Sequence, residues 1–132
     1  MKSKDTSGET ILIVEDSEFN QRLLEAVLTP HGYRLLLAPD GESGVALAEA
    51  EQPDIILMDI LLPGIDGYAA TQQLRANPKT QHIVIVALTA SSEPEEQDQA
   101  LASGCDGYIV KPIDTRAFPQ QIRQIFSDAG ER

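Results

Sequence analysis

Five short apolar runs, each followed by a stretch with helical spacing, leave this sequence few folds to choose from. The runs are Thr10–Val14, Tyr33–Ala38, Asp54–Met58, Ile83–Leu88 and Tyr108–Val110. They are rich in Ile, Leu and Val and carry few charges, as strands buried on both faces of a parallel sheet do. Phe19, Leu23 and Val27 recur every four residues with Leu24 and Leu28 beside them, and Phe118, Ile122, Ile125 and Phe126 repeat that spacing near the C-terminus. Pro30-His31-Gly32 stops the first helix. Asp40-Gly41 opens the second, and Tyr68 and Leu74 belong to the third, which ends before Asn77-Pro78. Asp114 is the expected N-cap of the fifth. The fourth, Ser92 to Ser103, offers only Ala100 and Leu101 as apolar anchors and is expected to be loosely held.

Alternating strands and helices imply right-handed crossovers and helices on both faces of the sheet. The fold class is therefore α/β, a doubly wound (βα)5 sandwich. Its 132 residues suffice for one domain with a real core and leave no room for a second of ordinary size. Residues 10–127 are expected to form that domain, with 1–9 a flexible polar segment and 128–132 a polar tail. Met1 and the full set of elements suggest a stand-alone protein, a piece of a larger protein being the alternative.

The formal net charge of −11 argues against direct binding to nucleic acid or an anionic membrane. It leaves a divalent cation or a basic partner surface as fitting company. The one cysteine, Cys105, excludes an internal disulfide and reads as a small core side chain. The longest wholly apolar stretch, Ile83 to Leu88, is far too short to span a bilayer, and no signal peptide is visible. A soluble cytoplasmic protein is expected.

In open α/β sheets, ligands bind beyond the carboxyl ends of the strands. Those ends here are Glu15-Asp16, Asp59, Thr89 and Lys111-Pro112. Three carboxylates at one sheet edge repel one another, by roughly 3 kcal/mol per pair at about 5 Å and an effective dielectric near 20. A cation or protonation must offset this. Mg²⁺ suits an all-oxygen site with few carboxylates. Asp59 would then be a nucleophile of the aspartyl-phosphate kind, with Lys111 neutralising phosphoryl oxygens and the Thr89 hydroxyl donating to one. Each residue alone has a plainer reading: Asp59 as a turn residue, Glu15-Asp16 as favourable charge at a helix start, Thr89 as a turn hydroxyl, Lys111 as a solvated charge. Their shared sheet edge favours the chemical one.

Taken in order, Ile11-Leu12-Ile13-Val14-Glu15-Asp16, Asp54 to Gly67, Ile85-Val86-Ala87-Leu88-Thr89-Ala90 and Gly107-Tyr108-Ile109-Val110-Lys111-Pro112 resemble the receiver domains of two-component response regulators. The resemblance covers about Thr10 to Phe126. It implies a flavodoxin-like, chemotaxis-regulator-like fold with strand order 2-1-3-4-5. It implies Asp59 as phosphoacceptor, with Mg²⁺ held by Glu15, Asp16, Asp59 and the backbone carbonyl of Leu61. Thr89 and Lys111 would hold the phosphoryl group, and Tyr108 would be an aromatic switch acting with Thr89, a buried core tyrosine being the alternative. The Lys111-Pro112 bond is expected to be cis. A sensor histidine kinase or phosphotransfer protein would donate, and a downstream protein would bind the face made by helix 4, strand 5 and helix 5. A homodimer is a further expectation.

Two other classes share parts of this pattern. Haloacid-dehalogenase-like phosphatases place a second Asp two residues after the nucleophile, where this chain has Leu61. Flavodoxin-like electron carriers need a hydroxyl- and glycine-rich phosphate loop after the first strand, where this chain has Glu15-Asp16-Ser17-Glu18. A purely structural interaction domain would show no Mg²⁺-dependent phosphorylation.

Overall fold

The computed structural model describes residues 8–130. Strands β1 (Thr10–Val14), β2 (Arg34–Ala38), β3 (Ile55–Asp59), β4 (Val84–Thr89) and β5 (Gly107–Val110) alternate with helices α1 (Glu18–Leu28), α2 (Gly41–Glu51), α3 (Gly67–Ala76), α4 (Pro94–Ser103) and α5 (Phe118–Gly130). The strands form one parallel sheet in the order β2-β1-β3-β4-β5, as the family resemblance implied.

Side chains alternate across a strand, so each central strand feeds two cores. Ile11, Ile13, Ile55, Leu57, Val86 and Leu88 pack with Leu24 and Leu28 of α1 and Phe118 and Ile122 of α5. Leu12, Val14, Ile56, Met58, Ile85 and Ala87 pack with Ala48 of α2, Ala70 and Leu74 of α3 and Ala100 of α4. Strands β3 and β4 are buried along their whole length, which explains their unbroken apolar runs.

At the sheet edge where strands begin, Arg75 of α3 ties three segments together. Its guanidinium donates to the carbonyls of Gly104 at 2.8 Å, Gln81 at 2.8 Å and Ile83 at 2.6 Å, and to Asp106 Oδ2 at 2.8 Å. The same Asp106 oxygen accepts from the Ile85 N–H at 2.8 Å. The starts of β4 and β5 and the end of α4 are thus one knot.

Several expectations need correction. Phe19 is 75% exposed rather than part of the buried face of α1. At about 100° per residue it lies roughly 140° around the helix from Leu24, whose face is the buried one. Helix α4 starts at Pro94, and of its expected anchors Ala100 is buried but Leu101 is 46% exposed. It has polar ties instead: Tyr68 Oη donates to Glu96 Oε2 at 3.2 Å, and the left-handed Gly104 closes its C-terminus. Asp114 caps a turn rather than the first residue of α5, accepting from the N–H groups of Arg116 at 3.0 Å and Ala117 at 3.2 Å. Helix α5 continues to Gly130. Gly8 and Glu9 of the expected N-terminal segment are described, and Glu9 pairs with Arg123 at 3.3 Å. Residues 1–7 of that segment lie outside the described residues, as do 131 and 132 of the tail.

Candidate functional site

Strand order reverses between β1 and β3: the chain leaves β1 toward β2 on one side and returns to β3 on the other. The crevice at that reversal is where such sheets bind ligands. Glu15 and Asp16 follow β1 there, and Asp59 is the last residue of β3. Ligand oxygens of Glu15, Asp16 and Asp59 lie within 4.8 Å of one another.

Burial differs sharply among the three. Glu15 is 1% and Asp59 5% exposed, whereas Asp16 faces solvent. Glu15 Oε2 accepts from the Ser17 N–H at 3.0 Å, and Asp59 Oδ1 from the Leu61 N–H at 3.1 Å. Lys111 enters from the end of β5 with Nζ 3.3 Å from Glu15 Oε1 and 3.2 Å from Asp59 Oδ2. Burial alone would push the Lys111 ammonium down, but the Asp59 and Glu15 carboxylates more than offset this and hold it above its ordinary value. One ammonium faces three carboxylates, so the site keeps a net negative charge. The donors are all oxygens, one of the carboxylates is open to water, and the set fits a hard cation such as Mg²⁺ that retains part of its hydration.

Thr89 ends β4 on the next strand over, 2% exposed. Its hydroxyl accepts from the Ser91 N–H at 3.2 Å and faces the Ser91 carbonyl at 3.4 Å, so here it is engaged with its own loop. Tyr108 is half-buried on β5 and packs against the core shared with α2, α3 and α4. The Leu61 side chain is 73% exposed. The Lys111-Pro112 bond is cis.

Local structure that the motifs alone did not single out holds these residues in place. Ser17 caps α1, its hydroxyl accepting from the Asn20 N–H at 3.3 Å. Gln21 Nε2 donates to the Glu15 carbonyl at 2.6 Å. A side chain on Gly67 would overlap the Asp59 carbonyl, so only glycine lets α3 begin this close to the end of β3. Beside Lys111 an apolar groove is lined by Phe19, Leu23, Leu24, Pro112 and Ile113.

Residues 11–123 match the family model described as the response regulator receiver domain. The response regulator PleD of Caulobacter vibrioides is 40% identical over 115 residues, which cover 87% of this chain and 25% of PleD. Protein PilH of Pseudomonas aeruginosa is 36% identical over 117 residues, covering 89% of this chain and 97% of PilH. The chain therefore spans a quarter of one curated relative and nearly all of the other. A solved structure of the receiver domain of sensor histidine kinase PA1611 from Pseudomonas aeruginosa, with a magnesium ion coordinated in its active-site cleft, has a TM-score of 0.83. It is 36% identical over 92% of this chain and 99% of that one.

Proposed function

The chain belongs to the response regulator receiver domain family, and from that membership we propose that Asp59 accepts a phosphoryl group from a phosphohistidine. A carboxylate oxygen of Asp59 attacks phosphorus. The P–N bond breaks, and its electron pair stays on the departing imidazole, which takes up a proton. Lys111, already 3.2 Å from Asp59 Oδ2, meets the negative charge that the phosphoryl oxygens bring. The Leu61 N–H fixes the orientation of the Asp59 carboxylate. Glu15, Asp16, Asp59 and the Leu61 carbonyl would hold Mg²⁺, which when bound supplies further neutralisation of those oxygens. The observation that carries this reading is the meeting of Glu15, Asp16, Asp59 and Lys111 from three strand ends in one crevice.

Receiver domains interact with histidine kinases or phosphotransfer proteins. Here the groove beside Lys111, with Phe19 on its rim, offers the donor an apolar footing next to the reacting carboxylate. After transfer, Thr89 leaves its Ser91 contacts for a phosphoryl oxygen and Tyr108 turns inward behind it. The face of α4, β5 and α5 then presents itself to a downstream protein or to a second copy. The chain is a signalling domain rather than a conventional enzyme, and hydrolysis of its own aspartyl phosphate in the same site resets it. No helix among the described residues is long and apolar enough to cross a membrane, and a cytoplasmic place fits its free, buried Cys105.

Incubation with Mg²⁺ and acetyl phosphate, read by intact mass, tests this. One labile phosphoryl adduct on the parent and none on Asp59→Asn is the expected result. An adduct of equal yield on Asp59→Asn would overturn it.

A further inference from the structure

Asp16 is the carboxylate of the acidic crevice least supported by its own side chain. Among the described residues it makes no side-chain hydrogen bond or ion pair, and it is exposed. Its position is inherited from the backbone on either side. On one side is Glu15, whose N–H donates to the Ala38 carbonyl at 3.0 Å and whose carbonyl accepts from Gln21 Nε2 at 2.6 Å. On the other is Ser17, whose N–H donates to Glu15 Oε2 at 3.0 Å and whose carbonyl accepts from the Gln21 N–H at 2.9 Å. Gln21 therefore grips both neighbours of Asp16, one with its side chain and one with its backbone.

The backbone grip is an ordinary helical bond that any residue except proline would make. The side-chain grip is particular. It reaches back six residues to the first carbonyl beyond the β1 ladder, which would otherwise need another donor. Losing a group that orients a ligand from behind commonly costs about 10–100-fold in metal affinity.

We propose that Gln21 is a positioning residue for the metal site: its side-chain amide fixes the Glu15 carbonyl and thereby the direction in which Asp16 presents its carboxylate. The inference rests on the receiver reading of the site. A group that merely satisfied a carbonyl would affect stability alone, whereas a positioning group also sets the affinity for the ion.

Gln21→Met keeps length and helix propensity and removes the donor. Calorimetric titration of the full chain with MgCl₂ alone should show a dissociation constant raised about tenfold over the parent, with the helical circular dichroism unchanged. A folded Gln21→Met variant that binds Mg²⁺ within twofold of the parent would overturn the proposal. If that variant does not fold, the parent decides. Its Gln21 side-chain amide signals in ¹⁵N-edited NMR should move on adding Mg²⁺, while those of exposed Gln72 and Gln73 stay still. Gln21 signals as unmoved as theirs would overturn it. A parent that binds no Mg²⁺ at all would overturn the site reading and this proposal together.

Discussion

Lys111 Nζ lies 3.2 Å from Asp59 Oδ2 although the two residues are 52 apart in the chain. The contact crosses the carboxyl ends of three neighbouring strands, and the ammonium is the counter-charge to a buried acid pair. Lys111→Met would leave Glu15 and Asp59 facing each other in a poorly solvated crevice. Breaking a buried pair this way costs about 3–5 kcal/mol. Urea denaturation without Mg²⁺ should show a loss of that order, and added Mg²⁺ should recover part of it. Phosphorylation of Asp59 by acetyl phosphate should fall at least about 100-fold.

The same pair sets a pH dependence with a definite sign. The folded ammonium is held above its ordinary value by Asp59 and Glu15 against the opposing effect of burial. Its contribution to stability is therefore complete below the unfolded lysine value of about 10.4 and is lost as pH rises through the higher folded value. Stability curves of the parent and Lys111→Met should run parallel from neutral pH into the mildly alkaline range and converge above it. Curves that stayed parallel above that range would show that the pair adds no such linkage.

Gly67→Ala tests how tightly α3 is seated against the end of β3. The new methyl would overlap the Asp59 carbonyl and crowd Ile60 Cα at 2.8 Å. Backbone cannot step aside as a flexible side chain can. A loss of about 1–3 kcal/mol is expected from overpacking, read as a lower melting temperature. Slower phosphorylation of Asp59 should accompany it, since the displaced atoms belong to Asp59 itself.

Arg75→Leu removes the cation from an Asp106 side chain that is 2% exposed and leaves the carbonyls of Gly104, Gln81 and Ile83 without that donor. A cost of about 3–5 kcal/mol is expected in urea denaturation. Asp106→Asn should cost less, because its amide oxygen can still accept from the Ile85 N–H.

The fold was written in the sequence because parallel strands buried on both faces must be apolar throughout, and Ile55–Met58 and Ile83–Leu88 could hide nothing else. The charged residues were equally visible, since Asp59 and Lys111 interrupt apolar surroundings at strand ends. What the pattern did not disclose depends on direction rather than on residue type. Phe19 obeys an i, i+4 spacing yet faces water, because the stripe it opens runs beside the fully buried one through Leu24 and Leu28, and it is Val27 at the far end that packs against the core. Leu101 sits beside Ala100 in sequence, but a 100° turn carries it out of the core. The ties through Gln21 and Arg75 were hidden because each joins a side chain to a backbone carbonyl, and a carbonyl has no letter in the sequence.

Because Arg75 and Asp106 knot β4 and β5 at their beginnings, those strands resemble tines fixed in a handle, with Thr89 and Lys111 at the tips. A tip can change partners while the handle stays put. Defects in the handle should therefore lower how much folded protein there is, leaving each folded molecule competent to take up phosphate, while loss of the Lys111 tip should lower both. Endurance can thus be altered at one end of the sheet without disturbing the responsiveness kept at the other.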